Sequence, residues 1–135
     1  MNLDDVANEL RTALGTIPGL STPEWGVQRI NPPAAVVALP DEVTYDLVYR
    51  RGGDRIADWQ LLVLVARPTQ PEARRAIAAY ADGAGAQSVK AAIEGHTYAA
   101  CDEVTVTRAE FEVVTYAGTE YLAAVFHLDV VGKGA

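Results

Sequence analysis

Along residues 3–14 the apolar side chains Leu3, Val6, Ala7, Leu10 and Leu14 recur at the spacing of one helical stripe. Asn2 precedes this stripe as a cap, Asp4 and Asp5 suit the positive end of the helix dipole, and Gly15 follows as a stop. Residues 16–33 break the periodicity with Pro18, Gly19, Pro23, Gly26, Pro32 and Pro33, and read as an ordered loop or a poor strand. A short buried strand is predicted over 34–39, closed by Pro40. Residues 43–49 and 56–66 read as a hairpin around Arg51-Gly52-Gly53-Asp54, where paired glycines supply the positive φ of a tight turn. Residues 61–66 are apolar at every position, so that strand must be covered on both faces.

A second helix is predicted over 70–82. Thr69 and Glu72 have capping-box spacing, Pro71 sits in the first turn, and Ala73, Ala76, Ile77 and Tyr80 form its apolar stripe. Gly83 and Gly85 end it. Ser88 caps a third helix running to Glu94, with Val89, Ala92 and Ile93 turned inward and Gly95 as its stop. Residues 109–117 and 120–131 form a hairpin with Gly118-Thr119 at the turn. That turn sets Phe111 opposite Phe126, Val113 opposite Ala124 and Thr115 opposite Leu122 on one apolar face. On the other face it pairs Tyr116 with Tyr121, Val114 with Ala123, Glu112 with Val125, Glu110 with His127 and Arg108 with Asp129. Val104 and Val106 fall out of phase with Phe111, which predicts a β-bulge near Thr107. Strands and helices are segregated and hairpins dominate. The expected fold is a single α+β domain over 1–135, a mixed or antiparallel sheet with helices packed on one face.

Composition changes this picture modestly. The chain has 135 residues, 50% hydrophobic and 21% charged, a size and balance suited to one globular core. A single cysteine, Cys101, leaves no internal disulfide to require an oxidising compartment. The acidic opening lacks the basic start and apolar run of a secretory leader, and six apolar residues at 61–66 are too few to cross a bilayer. A cytoplasmic site of synthesis and no membrane partner are expected. The net charge of −7 opposes general binding to a polyanion.

Candidate chemistry is sparse. His96, Cys101 and Asp102 lie close together and invite a thiol-nucleophile reading; the plainer reading is a small buried cysteine. His127 and Asp129 share a strand face with Glu110, which suggests either a weak metal site or a cross-strand charge pair. The Gly83-Ala84-Gly85-Ala86 stretch lacks the lysine and spacing of a phosphate loop. No catalytic, cofactor or metal residue is assigned. Arg50, Arg51 and Arg55 flank the first hairpin tip, as a solvated turn or as a docking contact for an acidic partner. The outer face of the last hairpin, with Val114, Tyr116, Tyr121 and Val125, is too apolar to be freely wetted. Either a helix of the same chain covers it or it is a subunit interface.

Three segments carry a resemblance: NPPAAVVALP at 31–40, LLVLVARPTQPEARRAIAAYADGAGAQSVKAAIEG at 61–95 and FEVVTYAGTEYLAAVFHLDVVG at 111–132. Together they resemble tail terminator proteins of long-tailed bacteriophages, particularly those infecting actinobacteria. The resemblance implies a structural, non-enzymatic virion protein. In that family a hexameric ring sits on the head-proximal end of the tail tube, stops tube polymerisation and offers the head-joining surface. The partners it implies are further copies of the chain, the tail tube protein and head–tail connector proteins, with DNA passing through the ring unbound. No cofactor is implied. Head–tail connector and tail-completion subunits of similar size are the alternative, and a small enzyme or ligand-binding protein is a more distant one.

Overall fold

The computed structural model describes residues 1–24, 30–45 and 53–133. The elements run α1 (Leu3–Leu14), β1 (Ala34–Val37), β2 (Asp54–Ala66), α2 (Pro71–Ala81), α3 (Val89–Gly95), β3 (Glu103–Tyr116) and β4 (Thr119–Gly132). The four strands form one sheet in the order β1-β2-β4-β3, antiparallel at each pairing. The fold is the expected α+β domain with its helices on one face of an antiparallel sheet.

The predicted helices form, with the predicted start caps on α1 and α3, but the end cap of α2 is Asp82 and that of α3 is His96, rather than Gly83 and Gly95. Asn2 accepts a hydrogen bond from the Asp5 backbone N–H at 3.1 Å, and Ser88 accepts one from the Ala91 N–H at 3.1 Å. In α2 the expected capping box is absent. Gln70 takes the cap position without a side-chain bond, leaving Pro71 at the first turn to set the entry angle. Val6, Leu10 and Leu14 of α1, Ile77 and Tyr80 of α2, and Val89 and Ile93 of α3 all enter one core. From the sheet that core takes Ala35 and Val37, Ile56 to Val65 at alternate positions, and Ala124 to Val130 at alternate positions.

Three register shifts interrupt the ladder, at Thr107, at Ala57-Asp58 and at Val65, where Leu64 pairs with Ala123 and Ala66 with Leu122. Val106 pairs with Leu128 and Arg108 with His127, so Thr107 is the extra residue, as its sequence context predicts. Across β4, Ile56 pairs with Val130 and Trp59 with Leu128, so Ala57 and Asp58 bulge on the opposite side. Beyond Thr107, the last hairpin departs from its expected register by two residues. Ala117 and Gly118 form the turn, with φ of 52° and 82°, the positive pair that a type I′ turn demands. Phe111 therefore lies opposite Ala124, Val113 opposite Leu122, Glu110 opposite Val125 and Arg108 opposite His127. This register matches Val104 and Val106 to Val130 and Leu128 in the core. A shift of two preserves which face each side chain takes.

Cover on the second face of the sheet is thinner. Val36, Leu64, Tyr121 and Ala123 form a small cluster there, with Ile30, Val114 and Tyr116 packed against it. The apolar run at 61–66 is thus covered on both sides within one chain. Of the predicted strand at 43–49, Thr44 bridges Arg55 in antiparallel fashion, and residues 46–49 lie outside the described residues.

Helix α1 is tied to the α3–β3 loop by Glu9, whose carboxylate accepts from the Ala99 N–H at 2.9 Å and the Ala100 N–H at 2.7 Å. The Ala99 bond is the chief cause that holds Glu9 below its ordinary value of 4.5, with Ala100 and His96 adding to it against partial desolvation. A depressed folded value means that the stabilisation is full above the ordinary carboxylate range and is lost as pH falls through the folded value. Glu9→Gln is therefore expected to cost about 1–2 kcal/mol at neutral pH. In urea unfolding, the gap between the two proteins should narrow as pH drops below that range; a gap independent of pH would contradict the assignment. At the hairpin tip, Ala117 holds a left-handed conformation that costs a residue with a Cβ about 1–2 kcal/mol. Ala117→Asn is expected to raise stability by about 0.5–1 kcal/mol, and an unchanged urea midpoint would contradict the type I′ reading.

Candidate assembly surface

Several of the titratable residues singled out in the sequence pack or pair within the fold. Cys101 is buried, and burial followed by the charges of Glu9 and Asp102 pushes its thiol up to about 11. A nucleophilic thiol needs the opposite shift. His96 lies 3.6 Å from Glu9 and meets the Tyr98 ring edge-on at 4.7 Å. The Tyr98 hydroxyl donates to the Ile93 carbonyl at 2.7 Å, and burial raises it far above its ordinary range.

His127 is buried on the sheet face opposite the helices. Its Nδ1 lies 2.5 Å from Asp58 Oδ1, and its Nε2 lies 2.8 Å from Glu110 Oε1. The Glu110 approach is close enough for an ion pair but poorly aligned, so Nε2 has no hydrogen-bond partner among the described residues. The two carboxylates meet opposite ring nitrogens, which holds three strands together rather than converging on a point. No group of three potential ligands able to hold a metal occurs among the described residues. Asp129 stands apart from this cluster and takes a two-pronged bond from Arg55, at 3.0 and 2.9 Å. That pair replaces the expected contact of Asp129 with Arg108, which instead reaches Glu110 at 3.2 Å.

Of the three hairpin arginines, Arg55 is therefore engaged within its own chain, while Arg50 and Arg51 lie outside the described residues. The apolar candidates of the last hairpin are covered to different degrees. Tyr121 and Val125 are buried, and Val114 and Tyr116 are half-buried beside Leu64 and Val36. That cover comes from within one chain, and no helix supplies it.

The free apolar surface lies elsewhere. Among the described residues the exposed large hydrophobic side chains are Leu39 at 73%, Tyr45 at 69%, Phe111 at 56% and Val113 at 53%. Phe111 and Val113 share the helix-side face with Ala124 and Leu122, yet no helix reaches them. Strand β3, with 14 residues, runs about 46 Å, and the 7 residues of α3 span about 10 Å. Glu94 of α3 meets the Val106 N–H at 2.9 Å, which marks how far the cover extends. Beyond that point β3 is the edge of the sheet. Tyr116 and Thr119 flank a two-residue loop and so form a hydrogen-bonded pair. Counting back, Phe111, Val113 and Thr115 turn their N–H and C=O groups away from β4.

At the opposite edge, Ser21 closes the start of β1 by accepting from the Ala35 N–H at 2.8 Å. Past the end of β1 a cleft of about 300 Å³ opens between α1 and the sheet, lined by Leu3, Ala7, Val37, Ala38, Leu39 and Trp59, with Asp4 the charged residue among the lining.

No protein-family model matches the chain, and no curated protein matches it at a significant level.

The thiol geometry gives a direct check. With its protonation favoured and its Sγ buried, Cys101 in the folded protein should react with iodoacetamide at pH 7 at least about a hundredfold more slowly than in the denatured chain. Alkylation followed by mass spectrometry measures this, and equal rates would contradict a buried, protonated thiol.

Proposed function

We propose that this chain is a structural assembly subunit of a phage tail, a terminator that forms a ring on the head-proximal end of the tail tube. The observation that carries the reading is the far half of β3: a sheet edge that pairs with no other strand among the described residues, with the backbone groups of Phe111, Val113 and Thr115 turned away from β4 and Phe111 and Val113 in water. Soluble proteins blunt such edges with charged side chains, proline, bulges or short strands, because an open edge pairs with other chains, and here Glu110 and Glu112 charge only the face opposite Phe111 and Val113. Here the edge is long and carries no proline, which suits a surface completed by a partner. The resemblance in 31–40, 61–95 and 111–132 names the class of partner, and the segregated α+β fold agrees with it.

Two further features support the reading. Cys101 is buried, His96 lies beside Glu9, and His127 lies beside Asp58 inside the chain. The net charge of −7 suits a channel through which DNA slides without adhering. In this reading the ring is hexameric by resemblance, its neighbours are the tube protein and the head–tail connector, and it works in the virion without cofactor or catalysis.

The test is tube capping. Purified protein added to the polymerising cognate tail-tube protein is expected to shorten the tubes in proportion to its amount, with extra density at one end in electron micrographs. Tubes of unchanged length with bare ends would overturn the proposal.

A further inference from the structure

We infer that the two free apolar patches, on opposite edges of the sheet, are the two halves of one contact: Phe111 of one copy seats in the cleft bordered by Leu39 of the next. This rests on the ring-forming reading and names the surfaces that reading needs. A ring requires a head-to-tail interface made from two unlike patches on each subunit. The described residues offer one such pair. Phe111 and Val113 project from the β3 edge, and Ala109 and Thr115 continue the same row, so this helix-side stripe is uncharged. The glutamates of the strand, Glu110 and Glu112, fall on the other face.

The cleft matches the stripe in position and chemistry. It lies in the same helix-side layer, at the edge of β1, between Leu3 and Ala7 of α1 and Val37 and Trp59 of the sheet. Its volume of about 300 Å³ admits an aromatic ring. Leu39, at its rim, is itself exposed. A projection and a recess at opposite edges of one layer place each successive copy beside the last, and such a chain of contacts closes when its rotation allows. Edge-to-edge pairing of β3 with β3 would instead use one patch twice and stop at a dimer.

Knob and cleft alone bury a few hundred Å², less than the roughly 1,000 Å² of a firm pair. Two copies therefore hold weakly, and closure, which gives every subunit two contacts, makes the assembly firm. Phe111→Glu is expected to weaken self-association by at least about tenfold. The melting temperature of the monomer should stay unchanged, because the residue is exposed.

Cysteine crosslinking decides between arrangements. Cys101 is buried, so an introduced thiol is the reactive one. A chain carrying both Leu39→Cys and Val113→Cys, treated with a short bis-maleimide at about 100 µM, is expected to give a ladder of crosslinked oligomers. Each single variant alone should stay uncrosslinked, and an equal mixture of the two should stop at a dimer. Self-crosslinking of Val113→Cys alone, or no ladder from the double variant, overturns the contact. A wild-type chain that caps tubes while the double variant gives no ladder loses the contact and keeps the function. A ladder from a chain that never caps tubes keeps the contact and loses the function.

Discussion

The structure depends on β4 being paired on both sides, by β2 and by β3, with water kept from both of its faces. From Ala123 to Leu128 every side chain of β4 is buried, alternately in the helix-side core and on the opposite face. A strand so placed makes every backbone group count, since an unpaired buried N–H or C=O costs about as much as a lost hydrogen bond. The bulges at Ala57-Asp58 and at Thr107 flank the same stretch of β4. They let each neighbour keep its apolar residues on the helix side while the ladder continues. The Asp58–His127–Glu110 cluster sits at this point and ties the three strands on the face that has least apolar cover.

Length then separates the molecule into a closed part and an open part. The helices cover the sheet where α1, α2 and α3 meet it, and the long β3–β4 hairpin continues past them. On the helix side of that extension Phe111 and Val113 stay exposed among the described residues. The two edges consequently differ: one is short, partly closed by Ser21 and followed by a recess, and the other is long, open and projecting. Asymmetry of this kind suits directional assembly better than symmetric pairing.

Much of this was legible in the residues. The periodicity located all three helices, Asn2 and Ser88 announced their caps, and the phase conflict between Val106 and Phe111 located the Thr107 bulge. The faces of the last hairpin were also legible, because a slip of two residues leaves them unchanged. Its register was not. Gly118 fits either position of a two-residue loop, and the choice was made by the distant pairing of Val104 and Val106 with Val130 and Leu128. The exposed apolar stripe was hidden for a related reason. Phe111 and Val113 carry the pattern of core residues, and pattern alone does not say that the helices are too short to reach them. Tyr121 reads as surplus because the cover supplied by Ile30 and Val36 comes from residues far away in sequence.

In the proposed reading, the apolar patches at the two edges of an α+β domain let copies of the chain form a ring. Native mass spectrometry over a concentration series, with negative-stain images of the same sample, tests it most directly. A single closed oligomer rising steeply with concentration, seen as annular particles with a central hole, is the predicted result. A monomer at every concentration, with no annular particles even when tail tubes are added, would contradict it.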